Sequence, residues 1–149
     1  MKKIIPFSAF LCFIFITMLV SSCKDAKTIF TSKVWTIEKL FTTSEIPGVI
    51  EAIDNYSKMY IDAKVTLQFK NDGTYILTMG GLSDTGTWSV SEDEKILTMK
   101  DKDSQIGEKS EIKIISTEAI VLVDTDELEY LENNEKKVEK DVKIISSWK

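Results

Sequence analysis

Residues 65–79 read Val65-Thr66-Leu67-Gln68-Phe69-Lys70-Asn71-Asp72-Gly73-Thr74-Tyr75-Ile76-Leu77-Thr78-Met79. Val65, Leu67 and Phe69 alternate with Thr66, Gln68 and Lys70, and Tyr75, Leu77 and Met79 alternate with Thr74, Ile76 and Thr78. A period of two puts each of these sets on one face of a strand. Asp72-Gly73 supplies the positive φ that a tight hairpin turn requires, so the stretch predicts a β-hairpin.

The same pattern continues outward. Gly80-Gly81 and Asp84 mark a reversal, after which Gly86-Thr87-Trp88-Ser89-Val90 and Lys95-Ile96-Leu97-Thr98-Met99 flank the charged turn Ser91-Glu92-Asp93-Glu94. Glu111-Ile112-Lys113-Ile114-Ile115, Ala119-Ile120-Val121-Leu122-Val123 and Val142-Lys143-Ile144-Ile145 read as further strands, and a first strand is expected over about residues 33–41. One segment departs from this period. Ile46, Val49, Ile50, Ile53 and Met59 or Tyr60 recur at helical spacing, with Ser44 as the expected cap, Pro47 in the first turn, and Glu51, Asp54, Asn55 and Lys58 on the polar face. Residues 124–140 are expected to be a strand followed by a charged loop, with a turn at Asn133-Asn134. The expected fold is therefore all-β: an antiparallel up-and-down meander barrel of about eight strands with one inserted amphipathic helix.

At the amino end, Lys2 and Lys3 precede an uncharged apolar run over residues 4–20 that stops at Ser21-Ser22-Cys23. The junction Val20-Ser21-Ser22-Cys23 resembles the lipobox of exported bacterial lipoproteins, which implies cleavage before Cys23 and its acylation. Residues 1–22 are then a signal peptide, residues 23–32 a lipidated tether and residues 33–149 the barrel domain. Several acyl chains on one residue give stable attachment at about 0.8 kcal/mol per buried methylene. Lys24-Asp25 resembles a shortened form of the export signal of Bacteroidetes surface lipoproteins. The expected location is the bacterial outer membrane, lipid-anchored, facing periplasm or cell surface.

Removing residues 1–22 leaves 127 of 149 residues, with 17 lysines against 24 acids and a formal charge of −7. That length suits one domain. Its charge opposes nucleic-acid binding, which runs on cationic neutralisation of phosphate. The chain has no His and no Arg. Histidine triads, His-ligated zinc and bidentate anion recognition are thereby excluded, and no cofactor is indicated. Cys12 falls in the signal and Cys23 carries lipid, so the mature fold has neither disulfide nor thiol nucleophile.

Trp35 in the first strand, the residues from Leu67 to Tyr75 around Asp72-Gly73, then Gly86-Thr87-Trp88 and the Leu97 strand, are similar to the lipocalin-like domains of Bacteroidetes lipoproteins. The resemblance covers nearly the whole mature chain. It implies a barrel whose interior holds one small apolar ligand or fills with side chains. Trp35, Phe69, Tyr75, Trp88 and Leu97 are the residues expected to line such a cavity, with Trp148 a further aromatic candidate, against the plainer reading that they are core. Asp101-Lys102-Asp103-Ser104-Gln105 begins like a calcium loop, but Ile106 stands where that loop needs Gly and Ile112 where it needs Glu. Asp124, Asp126, Glu127 and Glu129 form an acidic run that suits a cation, paired-carboxylate chemistry or a solvated face. A non-catalytic binder of a small apolar ligand is the first expectation. The alternative is a structural lipoprotein with a filled barrel and an envelope protein partner.

Overall fold

The computed structural model describes residues 25–149, so Cys23 and the apolar run before it lie outside the described residues. The described chain opens with a short helix, α1 (Ala26–Phe30), followed by β1 (Val34–Thr42), α2 (Pro47–Asp62), β2 (Thr66–Phe69) and β3 (Thr74–Met79). It continues through β4 (Leu82–Val90), β5 (Ile96–Asp101), β6 (Glu108–Ile115), β7 (Ile120–Glu132) and β8 (Glu135–Trp148). Each strand pairs antiparallel with its sequence neighbours and β8 returns to β1, closing an eight-stranded barrel in meander order with α2 inserted after β1. Closure removes edge strands from the barrel wall, while the β7–β8 ribbon beyond it pairs only within itself.

Turn chemistry sets the register. Gly80 (φ +58°) and Gly81 (φ +88°) make a two-residue hairpin between Met79 and Leu82, which pair with each other. At Asp72-Gly73 only the glycine is left-handed, at φ +83°. The Gly73 N–H donates to the Lys70 carbonyl at 3.1 Å and the Lys70 N–H donates to the Thr74 carbonyl at 2.8 Å. The expected tight turn is therefore a longer turn closed by a glycine bulge, with the Asp72 carboxylate accepting from the Thr74 N–H at 2.9 Å.

Three expectations need correction. Residues 124–140 hold no charged loop: Glu135 to Lys140 belong to β8, and β7 and β8 run as one long ribbon around Asn133 (φ +53°) and Asn134 (φ +64°). Glu129 with Lys136, Glu132 with Lys137, and Glu127 with Lys140 pair across it. Both faces of the ribbon's tip meet water, so charge hides the alternation of a strand.

The tether expected over residues 23–32 is folded from Ala26 onward. Asp25 caps α1 by accepting from the Thr28 N–H at 2.6 Å, and the Ala26 N–H donates to Glu94 at 3.0 Å. Ala26, Ile29 and Phe30 are buried. Phe30 packs edge-on to Phe69 at 4.8 Å between centroids and lies 5.7 Å from Trp88, plugging the end of the barrel that carries the β2–β3 and β4–β5 turns. This is the closed end.

In α2 the cap position falls on Ile46, because Pro47 takes the first helical position and holds its predecessor extended. Ser44 accepts instead from the Ile46 N–H at 3.2 Å. The buried stripe is Val49, Ile53 and Ser57, while Ile50 and Met59, expected to be buried, are 40% and 43% exposed. A polar residue on the inner face has a local cause. β1 is irregular between Ile37 and Lys39, and the Leu40 N–H there donates to the Ser57 Oγ at 2.8 Å. At the other end of the helix Gly48 admits the Tyr130 ring, which would lie 2.9 Å from a Cβ at that position through its Cε2. α2 thus rides on β1 and β7 at the end opposite α1.

Candidate functional site

The five residues expected to line a cavity are all buried; Tyr75 reaches a concavity between β3, β4 and β5 and Trp88 one beside α1, and none of the five lines the space under α2. Phe69 and Trp88 pack edge-on at 4.9 Å with Phe30 against both, so the closed half of the barrel is filled. Trp35 donates its indole N–H to the Phe30 carbonyl at 2.8 Å and Trp88 donates to the Lys70 carbonyl at 3.0 Å. Leu97 is fully buried. Tyr75 donates its hydroxyl to Asp101, and burial, reinforced by that carboxylate, pushes the phenol well above its ordinary range. These are core side chains with their polar atoms satisfied.

The open half is different. A cavity of about 770 Å³ lies beneath α2, between the second half of β1, the start of β6 and the middle of β7. This falls within the range of small-molecule sites. Ile37, Leu40, Ile53, Leu128 and Ile144 supply its apolar floor, and Tyr56, Tyr60 and Trp148 its aromatic surface. Trp148 is fixed by its indole N–H, which donates to the Ser146 Oγ at 3.0 Å.

The acidic run read from the sequence converges on this cavity: Asp124, Asp126, Glu127 and Glu129 all line it, together with Glu108 and Lys109. Their surroundings separate them. Glu129 is 2.5 Å from Lys136 and Glu127 is 3.9 Å from Lys140, so both have a cation beside them. Asp124 accepts from the Ser110 hydroxyl, and among the described residues no lysine stands within ion-pair distance of Asp124 or Asp126. Burial raises the Asp124 carboxyl above its usual range and the neighbouring Asp126 charge adds to the rise, while the Ser110 hydrogen bond opposes it. The calcium-like stretch after Asp101 forms a turn, with the Ser104 N–H donating to the Asp101 carbonyl at 3.1 Å.

Sequence reasoning found the acids of this site and Trp148, and missed the rest of its floor. Leu40 and Tyr60 carry no signal that separates lining from packing, since inward residues of a filled and a hollow barrel alternate alike. A second concavity of about 500 Å³, between β3, β4 and β5, is lined by Lys70, Tyr75, Lys100, Asp101, Lys102 and threonines of β3 and β4, and shares no lining residue with the space under α2.

No family model and no curated protein matches the chain. Among solved structures, the fold is similar to a DUF4847 family protein from Bacteroides vulgatus ATCC 8482, at 15% sequence identity and a TM-score of 0.42, covering 82% of this chain and 96% of that one.

Proposed function

We propose that this protein is an envelope-anchored lipoprotein of lipocalin-like build that binds a small ligand non-catalytically in the cavity under α2. The observation that carries the reading is the division of the interior: aromatic packing fills one end, and a concavity with an apolar floor occupies the other. A chain without His or Arg has few means of catalysis, and rigid β walls with a helix over the mouth suit retention of a ligand. The lipobox-like junction supports acylation at Cys23, three residues before Ala26. Because α1 docks at the closed end, a lipid on Cys23 would hold that end to the outer membrane and leave the cavity facing away from the bilayer.

An environment-sensitive apolar dye, added to the full chain in a maltoside detergent, tests the binding reading. Saturable fluorescence enhancement with a raised melting temperature, lost in Ile144→Trp, supports it. Absence of enhancement, or equal binding by a folded Ile144→Trp variant, overturns it.

A second reading, an interaction lipoprotein with a protein partner, has its own observation. Leu82, Ile106 and Leu131 stand 80%, 80% and 70% exposed, the first beginning β4, the second in the β5–β6 connection and the third near the end of β7, all at the open end. Photo-crosslinkers at these positions in intact envelopes test it: one partner captured at all three supports docking, and none refutes it.

A further inference from the structure

The geometry points to an organic cation, an ammonium group carried on an apolar body, as the ligand of the cavity under α2; this rests on the binding reading above and specifies its chemistry. Two independent features of the cavity lining converge, acids on β7 and aromatic residues on α2 and β8. Asp124 and Asp126 face the cavity without a lysine partner among the described residues, while Glu127 and Glu129 beside them are paired. The cavity therefore carries uncompensated negative charge, to which Glu108 adds and which Lys109 only partly offsets. The remaining lining is aromatic and aliphatic: Tyr56, Tyr60 and Trp148, with Ile37 and Leu40.

The combination discriminates among cations. A metal ion needs several oxygens converging on one point and retains its water, and among the described residues no group of three acids is placed to hold one. An alkylated ammonium is weakly hydrated, spreads its charge over methyl or methylene groups, and is attracted both by carboxylates and by aromatic faces. A neutral apolar molecule would satisfy the floor and leave the partly buried Asp124 carboxylate facing hydrocarbon, which is unfavourable. An anion would be repelled by the same groups.

The test compares three probes of similar size on the full chain in maltoside detergent: phenyltrimethylammonium, its uncharged isostere tert-butylbenzene, and benzoate. Free probe is measured by equilibrium dialysis, so that micellar uptake is subtracted. The expected result is that the cation binds about tenfold or more tightly than the isostere, equivalent to about 1.4 kcal/mol, with benzoate weakest. In Asp124→Asn/Asp126→Asn the preference should collapse to about twofold while the isostere binds unchanged, and high salt should weaken only the cation, as screening of charge requires. Equal affinity of cation and isostere overturns the cationic assignment and leaves the binding reading standing. Failure of all three probes to bind overturns both. Displacement of phenyltrimethylammonium by calcium at equal concentration also overturns the assignment, since the acids would then be a metal site.

Discussion

The indole N–H of Trp35 donates a 2.8 Å hydrogen bond to the carbonyl of Phe30, tying the first strand of the barrel to the last residue of the helix that plugs it. Phe30 in turn is fully buried between Phe69 and Trp88. Ala26, Ile29 and Phe30 are therefore part of the core, although the sequence offers them as a tether. Phe30→Ala should cost about 3–5 kcal/mol, the usual range for removing a buried aromatic ring. A urea unfolding midpoint within error of wild type would show that α1 is only laid against the barrel.

Gly86 and Tyr75 are cross-strand partners, and the Tyr75 ring crosses the space that a side chain at Gly86 would need. A Cβ there would lie 2.7 Å from Tyr75 Cε1 and closer still to the Lys100 carbonyl. Backbone of β5 cannot yield cheaply, so Gly86→Ala should destabilise by about 1–3 kcal/mol through overpacking. Thermal unfolding at neutral pH reads the difference, and an unchanged melting temperature would contradict the packing described.

Ser57 holds α2 over the cavity by accepting from the Leu40 N–H inside the core. Ser57→Ala leaves that buried donor unmatched and should cost about 1–3 kcal/mol. Faster amide exchange at Leu40 in the variant, compared with neighbouring strand residues, is the specific signature. Uniform exchange across β1 would mean that the donor finds another partner.

Asp124 has its carboxyl raised by burial and by the Asp126 charge. The folded state then binds the proton more tightly than the unfolded chain, so stability falls as pH rises from the ordinary value of 3.8 through the raised one. The penalty is full at neutral pH. Asp124→Asn should therefore raise the melting temperature at pH 7, and the gain should vanish as the pH approaches 3.8. A variant less stable than wild type at pH 7 would show that the carboxylate is better compensated than its surroundings indicate.

The β2–β3 hairpin was legible in the sequence because it has an apolar face, with Leu67 and Phe69 against Tyr75 and Leu77, and a glycine where φ must be positive. The ribbon tip beyond Tyr130 was not, since solvent on both sides leaves no alternation and the order appears only as Glu and Lys facing each other across strands. Five residues are too few to show a helical period, so α1 looked like a linker, and its helix is set by the docking of Ile29 and Phe30. The acids of the candidate site stood out by composition. Its floor did not, because the gap depends on how far α2 stands off the barrel, and that is fixed by contacts distant in sequence, such as Leu40 with Ser57 and Gly48 with Tyr130.

A crystal of the full chain pressurised with xenon tests the division of the interior most directly. Xenon density is expected among Ile37, Leu40, Ile53 and Ile144, with none between Phe30, Phe69 and Trp88. Side chains closing the space under α2, with xenon absent there, would contradict a ligand-holding barrel.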